Sequence, residues 1–371
     1  MSKWKKTTLG EIATIITGPF GSQLHQSDYV SSGIAIVMPQ NIADRKIDYG
    51  TINYISEQDA ERLKKYRTQK SDILYARRGN IEKHAFITES DKGVYCGTGC
   101  LRVRVSSRDI LPMFVSYFLN REETKKWIVA HAVGTNMPNL NTDILSEVPI
   151  NYPSIEIQQK VVSVLYEIDE KININNKIND NLQQMAYDTY MHLFFKKQPN
   201  GKLGDIIEEN SKSSVQVGEA KNESGNYPFF TSGDAILEWN RGMVDGRNCF
   251  LNTGGNAGVK FYVGEAAYST DTWCVTANRN LADYLYLLLL SIKPEMNQKF
   301  FQGTGLKHLQ KPLLKDRKIY IPSENEIEDF NSKVQPLMDM ISTNTRENKR
   351  LTNLRDWLLP LLMNGQIVVS K

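Results

Sequence analysis

No two prolines stand side by side anywhere in this chain of 371 residues. An adenine or cytosine N-methyltransferase needs an acidic-Pro-Pro-aromatic element beside a cofactor loop, so the chain does not read as one. The glycine-rich runs GPFGS (Gly18–Ser22), GTGC (Gly97–Cys100) and TGGNAG (Thr253–Gly258) fit neither the dinucleotide fingerprint nor the P-loop spacing. They read as tight turns that let backbone approach a phosphate. The five histidines are scattered, and isolated acid-x-Lys matches such as Glu123 with Lys125 do not compose a nuclease site. Neither catalysis within the chain nor a bound cofactor is expected.

Cysteine is scarce at four residues, too few for a disulfide framework and in keeping with a reducing cytoplasm. Cys96 and Cys100 are close enough in sequence to share a metal, but Cys249 and Cys274 lie far off and apart, so no tetrahedral set forms. Buried free thiols are the expectation. The densest apolar run, Leu285–Ile292, is far short of the roughly 18 to 20 residues of a membrane span. Lys3, Lys5 and Lys6 stand where an apolar leader would, so a cytoplasmic protein without a membrane is expected. With 45 basic and 42 acidic residues the net charge is only +3, which permits a nucleic-acid partner without requiring one.

What the chain does have is a duplication. GTNMPNL, NYPS and a long helical stretch recur as GTGLKHL, YIPS and another such stretch, with Pro153 and Pro322 at an offset of 169 residues. At that offset Gly134, Thr135, Leu140, Leu145 and Ile150 meet Gly303, Thr304, Leu309, Leu314 and Ile319. At the front of each copy Leu9, Gly10 and Glu11 match Leu203, Gly204 and Asp205 at an offset of 194, so the second copy is 25 residues shorter. Gly79 and Asn80 align with Gly255 and Asn256, which puts most of the shortening before them. A period this long marks a duplicated domain rather than a solenoid.

The pattern of each globular part is α+β, with short alternating strands punctuated by Gly, Asn and Ser and helices near Ser56–Tyr66, Pro112–Ala132 and Leu281–Phe301. Residues from Ser154 to Lys197 contain no Gly or Pro and carry apolar side chains at helical spacing. The closing stretch Ser323–Gly365 is similar, with Pro336 and Pro360 expected to kink or bound it. Four segments follow: residues 1–152 and 199–321 globular, 153–198 and 322–371 helical.

Both helices carry a 4-3-4-3 spacing at equivalent positions. It runs through Ile168, Ile172, Asn175, Asn179 and Leu182 in the first, and through Leu337, Ile341, Asn344, Asn348 and Leu351 in the second. This reads as a coiled-coil seam with central asparagines that trade stability for register; the alternative leaves the asparagines on a solvated flank. Packed antiparallel, two such helices would hold a globular domain at each end, giving one chain the pseudo-two-fold symmetry of a dimer and making the helices a ruler between half-sites on DNA.

These residues resemble the specificity subunit of type I restriction-modification systems. The resemblance rests on TLGEIATIITGPFGS (Thr8–Ser22), DILYARRGNI (Asp72–Ile81), LNTDILSEVPINYPSIEIQQKVVSVL (Leu140–Leu165), YMHLFFKKQPNGKLGDI (Tyr190–Ile206) and LRDWLLPLLMNGQIVV (Leu354–Val369), and it covers essentially the whole chain. It implies two target-recognition domains, each reading one half of a bipartite site in double-stranded DNA, and two helices that dock two methyltransferase subunits. Restriction and translocase subunits are further partners by the same resemblance, and catalysis belongs to the partners. The Gln158–Gln159 pair of the first copy gives way to Glu328 and Asp329 in YIPSENEIEDF, which sets the docking contacts of the second helix apart.

The side chains suited to DNA lie on polar turns. Arg77, Arg78, Asn80 and Lys83 follow a strand-like run; arginine pairs with guanine and asparagine with adenine, while lysine meets phosphate. The alternative for Arg77 and Arg78 is surface ion pairing. Asn252, Thr253, Asn256 and Lys260 occupy the matching turn of the second copy. Thr135, Asn136 and Asn139, with Thr304, Lys307 and His308, form a second pair of loops, read as phosphate-positioning because they match between copies. Ser22 and Gln23 form a third loop. The competing reading, a protein-interaction scaffold with a helical spacer, differs in lacking a steep salt dependence of DNA affinity; a self-contained restriction or methylation enzyme would instead show activity in the isolated chain.

Overall fold

The computed structural model describes residues 4–134, 138–223 and 225–367. It divides into two compact units, one built from residues up to Glu170 together with those from Thr352 onward, the other from Lys171–Leu351.

The first unit is organised around a four-stranded antiparallel sheet in the order Ala13–Thr17, Cys100–Val105, Ile73–Ala76, His84–Phe86. Successive side chains of a strand point to opposite faces, and here both faces are covered. Ile73 and Tyr75 enter a core shared with the helices, whereas Leu74 and Ala76 enter a core under a second sheet. That double burial is why the run ILYA is uninterruptedly apolar. The second sheet orders Tyr29–Val30, Asn53–Ile55, Ile34–Val37 and Tyr95–Cys96, the last pairing being parallel.

The other unit repeats the plan. Its main sheet runs Ile207–Glu209, Thr272–Ala277, Arg247–Asn252, Val259–Val263, and a smaller one runs Ile236–Trp239, Tyr227–Phe230, Ala267–Tyr268, again with a parallel last pair. The missing residues are those between the strands of the small sheet and the helix Glu57–Arg62 that precedes Ile73. The chain passes from Phe230 to Ile236 and from Trp239 to Arg247 through short links instead.

The helix expected over Pro112–Ala132 is two, Pro112–Leu119 and Glu122–His131. The Asn120 amide is shared between the Ser116 and Tyr117 carbonyls and the Thr124 hydroxyl donates to the Phe118 carbonyl, 3.0 Å, which closes the first helix before the second starts. The counterpart in the second copy is Ala282–Ser291, buried from Ala282 to Leu289, followed by short turns to Phe300.

Two helices of 40 residues, Ile155–Phe194 and Glu324–Met363, contribute to both units. The first carries Val161 and Leu165 into the core of one unit and Tyr190 and Phe194 into that of the other. The second helix does the reverse, with Phe330 and Val334 at its start and Leu359 and Leu362 at its end. Pro336 and Pro360 neither bound nor divide it, since the helix runs continuously through both. A proline inside a helix forfeits one hydrogen bond; the buried Val334 and Met338 on either side of Pro336 hold the path across that gap.

The contrast between Gln158 and the acidic pair also changes form. Gln158 is fully buried: its amide donates to the Asp109 and Pro153 carbonyls, 2.9 Å each, and accepts from the Leu111 N–H, 2.8 Å. It fastens its helix to the globular part and faces no partner surface. At the 169-residue offset its counterpart is Ile327, also buried, so the same joint is polar in one copy and apolar in the other.

In each unit one arginine ties a short helix to a long one. The Arg45 Nε donates to the Ser116 Oγ (3.1 Å) and its Nη1 meets Asp169, 2.5 Å, while Arg355 reaches the other oxygen of Asp169 at 3.0 Å. Arg45 holds φ at +57°, between backbone bonds to His84 and Phe86. Arg247 pairs with Asp283 at 2.7 Å and with Asp339 at 2.5 Å. All four cysteines are buried and free. Among the described residues no group of three or more His, Cys, Asp or Glu could hold a metal, and no helix is long and apolar enough to cross a membrane.

Candidate nucleic-acid interface

In the first unit three loops leave the same edge of the main sheet. Gly18–Gln23 follows Ala13–Thr17, Arg77–Lys83 joins Ile73–Ala76 to His84–Phe86, and Gly97–Gly99 leads into Cys100–Val105. Backbone bonds lock them together: the Gly18 N–H donates to the Cys100 carbonyl and the Arg77 N–H to the Gly99 carbonyl, 2.8 Å each. A fourth loop ends there too, because Val133 and Asn139 exchange backbone bonds of 3.2 and 2.9 Å and the Leu140 N–H donates to the Arg77 carbonyl at 2.9 Å.

The second unit builds the same edge with different residues. The Leu309 N–H donates to the Thr253 carbonyl at 2.9 Å, the counterpart of Leu140 to Arg77, and Gln302 pairs with His308 as Val133 does with Asn139. Gly79 and Gly255 both adopt φ +77°, with nothing within 4 Å of where a Cβ would lie. The glycines are there for backbone conformation rather than for space. The turn and the hairpin loop, far apart in sequence, are thus joined in each copy by the same hydrogen bond.

Side chains on this shared frame differ. Arg78 and Asn80 are exposed at the tip and Lys83 is half-buried; among the described residues none of the three side chains forms an ion pair or hydrogen bond. Arg77 is half-buried and its Nε donates to the Asn139 Oδ1 at 3.2 Å, so it braces the loop pair. Thr135 and Asn136 lie outside the described residues. Ser22 is exposed, whereas the Gln23 Oε1 accepts from the Phe20 N–H (3.2 Å) and the Tyr66 hydroxyl (2.9 Å), which holds its own loop closed.

In the second copy Asn252 is buried, its Nδ2 donating to the Asn256 carbonyl at 3.1 Å. The Lys260 Nζ donates to the Thr231 carbonyl at 2.8 Å and reaches the Asn252 Oδ1 at 3.4 Å, and burial lowers its pKa. Both side chains are engaged in bonds within their own unit. The Thr253 hydroxyl donates to the Asp271 carbonyl at 2.6 Å. The outward-facing groups are Asn256, Thr304, Lys307 and His308, all exposed, with the Lys307 carbonyl accepting from the Gly255 N–H at 2.9 Å.

The seam asparagines meet in the unit that contains them. The Asn175 Nδ2 donates to the Asn348 Oδ1 at 2.9 Å and the Asn344 Nδ2 to the Asn179 Oδ1 at 2.8 Å, so the two helices run antiparallel. Asn348 is the equivalent of Asn179 and Asn344 that of Asn175, so each pair joins unlike positions of the two copies. Asn175 also donates to Glu347 at 2.6 Å, and Asn348 to Asn176 at 2.8 Å. Ile168 is buried, while Ile172, Leu182, Leu337, Ile341 and Leu351 are half-buried. Sequence reading missed Asn176, Glu347 and the Asp169–Arg355 pair. The spacing that found the seam scores apolar and amide positions and passes over flanking charges.

Similarity to known proteins follows the same plan. Residues 1–184 and 197–353 match the family described as type I restriction modification DNA specificity domain. The HindI specificity subunit of Haemophilus influenzae is 21% identical across 99% of this chain and 100% of its own length. The MjaIX specificity subunit of Methanocaldococcus jannaschii is 24% identical across 71% of this chain and 72% of its own. The crystal structure of a type I restriction-modification S subunit from M. genitalium superposes with a TM-score of 0.62 at 17% identity, over 100% of this chain and 97% of that one. At that identity the likeness is one of fold.

Proposed function

The chain belongs to the type I restriction-modification DNA specificity family, and from that premise we propose that its two loop-bearing sheet edges each read one half of a bipartite site in double-stranded DNA. The chain is the non-catalytic, sequence-recognising subunit of such a system. In this reading residues 1–152 and 199–321 are the reading heads, and the helical segments 153–198 and 322–371 dock two methyltransferase subunits and set the distance between half-sites. The assembly works in the cytoplasm, where restriction and translocase subunits join it.

The observation that carries the reading is the matched edge: the same turn with φ +77° and the same backbone bond to a hairpin, in both copies, presenting different side chains. Backbone pairing keeps the frame and an exposed asparagine at its tip, Asn80 or Asn256, while Arg78 beside it in one copy and Lys307 on the hairpin in the other change what the frame can recognise. A chain that reads two unlike half-sites needs this arrangement. The partners extrude the target base from the duplex for chemistry, which frees the reader from building a base pocket of its own.

Base methylation compared genome-wide between host cells with and without the gene tests this. Loss of methylation at one motif of two short half-sites with a fixed gap is expected. Unchanged methylation, together with DNA affinity that does not respond to salt, would leave the scaffold reading in its place.

A further inference from the structure

The second unit carries a group of lysines at its reading edge that has no counterpart in the first. Glu209 ends the outer strand of the main sheet, and its carboxylate accepts from the Trp273 Nε1 at 2.7 Å while pairing with Lys315 and, at 3.7 Å, with Lys311. The Lys311 ammonium also lies over the buried Trp273 ring, 4.7 Å from its centre. Lys212 stands in the next loop, exposed and near enough to Lys311 for their charges to repel. One carboxylate therefore pairs with two cations, and a third stands beside them.

The positions fix what this group adjoins. Lys311 follows the hairpin Phe301–Leu309 directly, and that hairpin is bonded to the turn at Thr253. Lys212 lies in the loop that leaves the outer strand, bonded to the segment before Thr272 through the Thr270 N–H and the Val215 carbonyl, 2.8 Å. Exposed Lys307 extends the row onto the hairpin itself. In the first copy the equivalents of Glu209, Trp273, Lys311 and Lys315 are Ile15, Leu101, Thr142 and Ser146, none of them charged.

We propose that Lys212, Lys307 and Lys311 form a phosphate grip, so that the second unit holds the DNA backbone by a lysine row at the base of its loops while the first meets DNA through the free arginine at its turn tip. The proposal rests on the DNA-reading function above. Lysine offers a point charge suited to phosphate and carries little base information. Glu209 and the Trp273 face keep Lys311 in place without neutralising the row.

The experiment uses the full chain assembled with its modification subunits and a duplex bearing its methylated motif, titrated at several salt concentrations. Replacing Lys212→Gln and Lys311→Gln together is expected to lower the slope of log affinity against log salt by about 2, near 0.9 for each phosphate no longer neutralised. Affinity for specific and scrambled duplexes should fall by the same factor, with the methylated motif unchanged. Lys212→Gln alone, at an exposed position, is expected to lower the slope by about 1 and guards against misfolding. Glu209→Gln removes the shared counter-charge and is expected to steepen the slope. Unaltered slopes in both lysine variants, or a changed base in the second half-site, would overturn the grip. Salt-insensitive binding by the unaltered assembly would instead overturn the DNA reading on which it rests.

Discussion

The turn after Ala76 and the turn after Asn252 share a backbone and an exposed asparagine at the tip, and differ in the side chains around it. Both place a glycine at φ +77° and both receive one backbone hydrogen bond from the leucine after the hairpin loop. The first presents Arg78 and Asn80 without partners; the second turns Asn252 and Lys260 inward and leaves Asn256 outside. Where main chain makes the joint, side chains are free to diverge. The comparison recurs at Gln158 and Ile327, where one copy closes the same joint with three amide hydrogen bonds and the other with apolar burial.

The most disruptive way to break the likeness is through the two bracing arginines. Arg247→Met strands Asp283, which is fully buried, and should cost roughly 3–5 kcal/mol of stability. Arg45→Met leaves Asp169 with Arg355 and with the Tyr117 hydroxyl at 2.7 Å, so the loss should be nearer 1–2 kcal/mol. Urea unfolding followed by hydrogen exchange in each unit measures both, and equal losses would show that the two braces are equivalent.

Acidity distinguishes the braces next. Burial lifts the Asp283 carboxyl to about 6 against the opposing pull of Arg247, whereas Asp169 is held below the usual carboxylate range by Arg45, Tyr117 and Arg355 despite burial. A raised carboxyl pKa contributes stability below its unfolded value, lost as pH rises through about 6. The second unit should therefore weaken between pH 4 and pH 7 by roughly 2–3 kcal/mol, and Asp283→Asn should abolish that slope. Asp169 has the opposite sign: its contribution is present above the ordinary carboxylate pKa and falls away as the pH drops below it. Melting temperatures across this range, with and without the substitution, decide the matter.

Arg78→Ala sharpens the contrast between the turns. It should relax the base preference of the first half-site by about 1–3 kcal/mol, with folding unchanged because the side chain makes no bond among the described residues. Sequencing of methylated sites reads this directly, and an unaltered first half-site would remove Arg78 from the reading surface. The smallest effect is expected at the seam. A double-mutant cycle of Asn175→Ala with Asn348→Ala should give a coupling of about 1 kcal/mol, and the single Asn175→Ala should cost more than Asn179→Ala because Asn175 also bonds Glu347. Equal losses from the two single substitutions would remove the Glu347 bond from the account.

Much of this architecture was legible in the chain. The 169-residue offset exposed the duplication, and the absence of glycine and proline from Ile155 to Phe194 exposed the first long helix. The second helix was less legible, because a proline rule is local and the burial of Val334 and Met338 that carries the helix past Pro336 is not. The candidate edge was legible as loops but not as one surface. Nothing in sequence shows that Leu140 reaches Arg77, or that Asn252 spends its amide inside its own turn. The lysine group was invisible for the same reason, since Glu209, Trp273 and Lys311 meet only once the sheet has formed.

Gly79 and Gly255 carry one further consequence. With open space around the missing Cβ and φ at +77°, each position selects for handedness and not for size. L-alanine there would carry the strain of the left-handed region, of order 1 kcal/mol. D-alanine, installed by chemical ligation, would occupy its own preferred conformation and stiffen the unfolded chain, a gain of roughly 0.4–1 kcal/mol. The two turns are sites where mirror-image chemistry would suit the protein better than any residue a ribosome supplies except glycine.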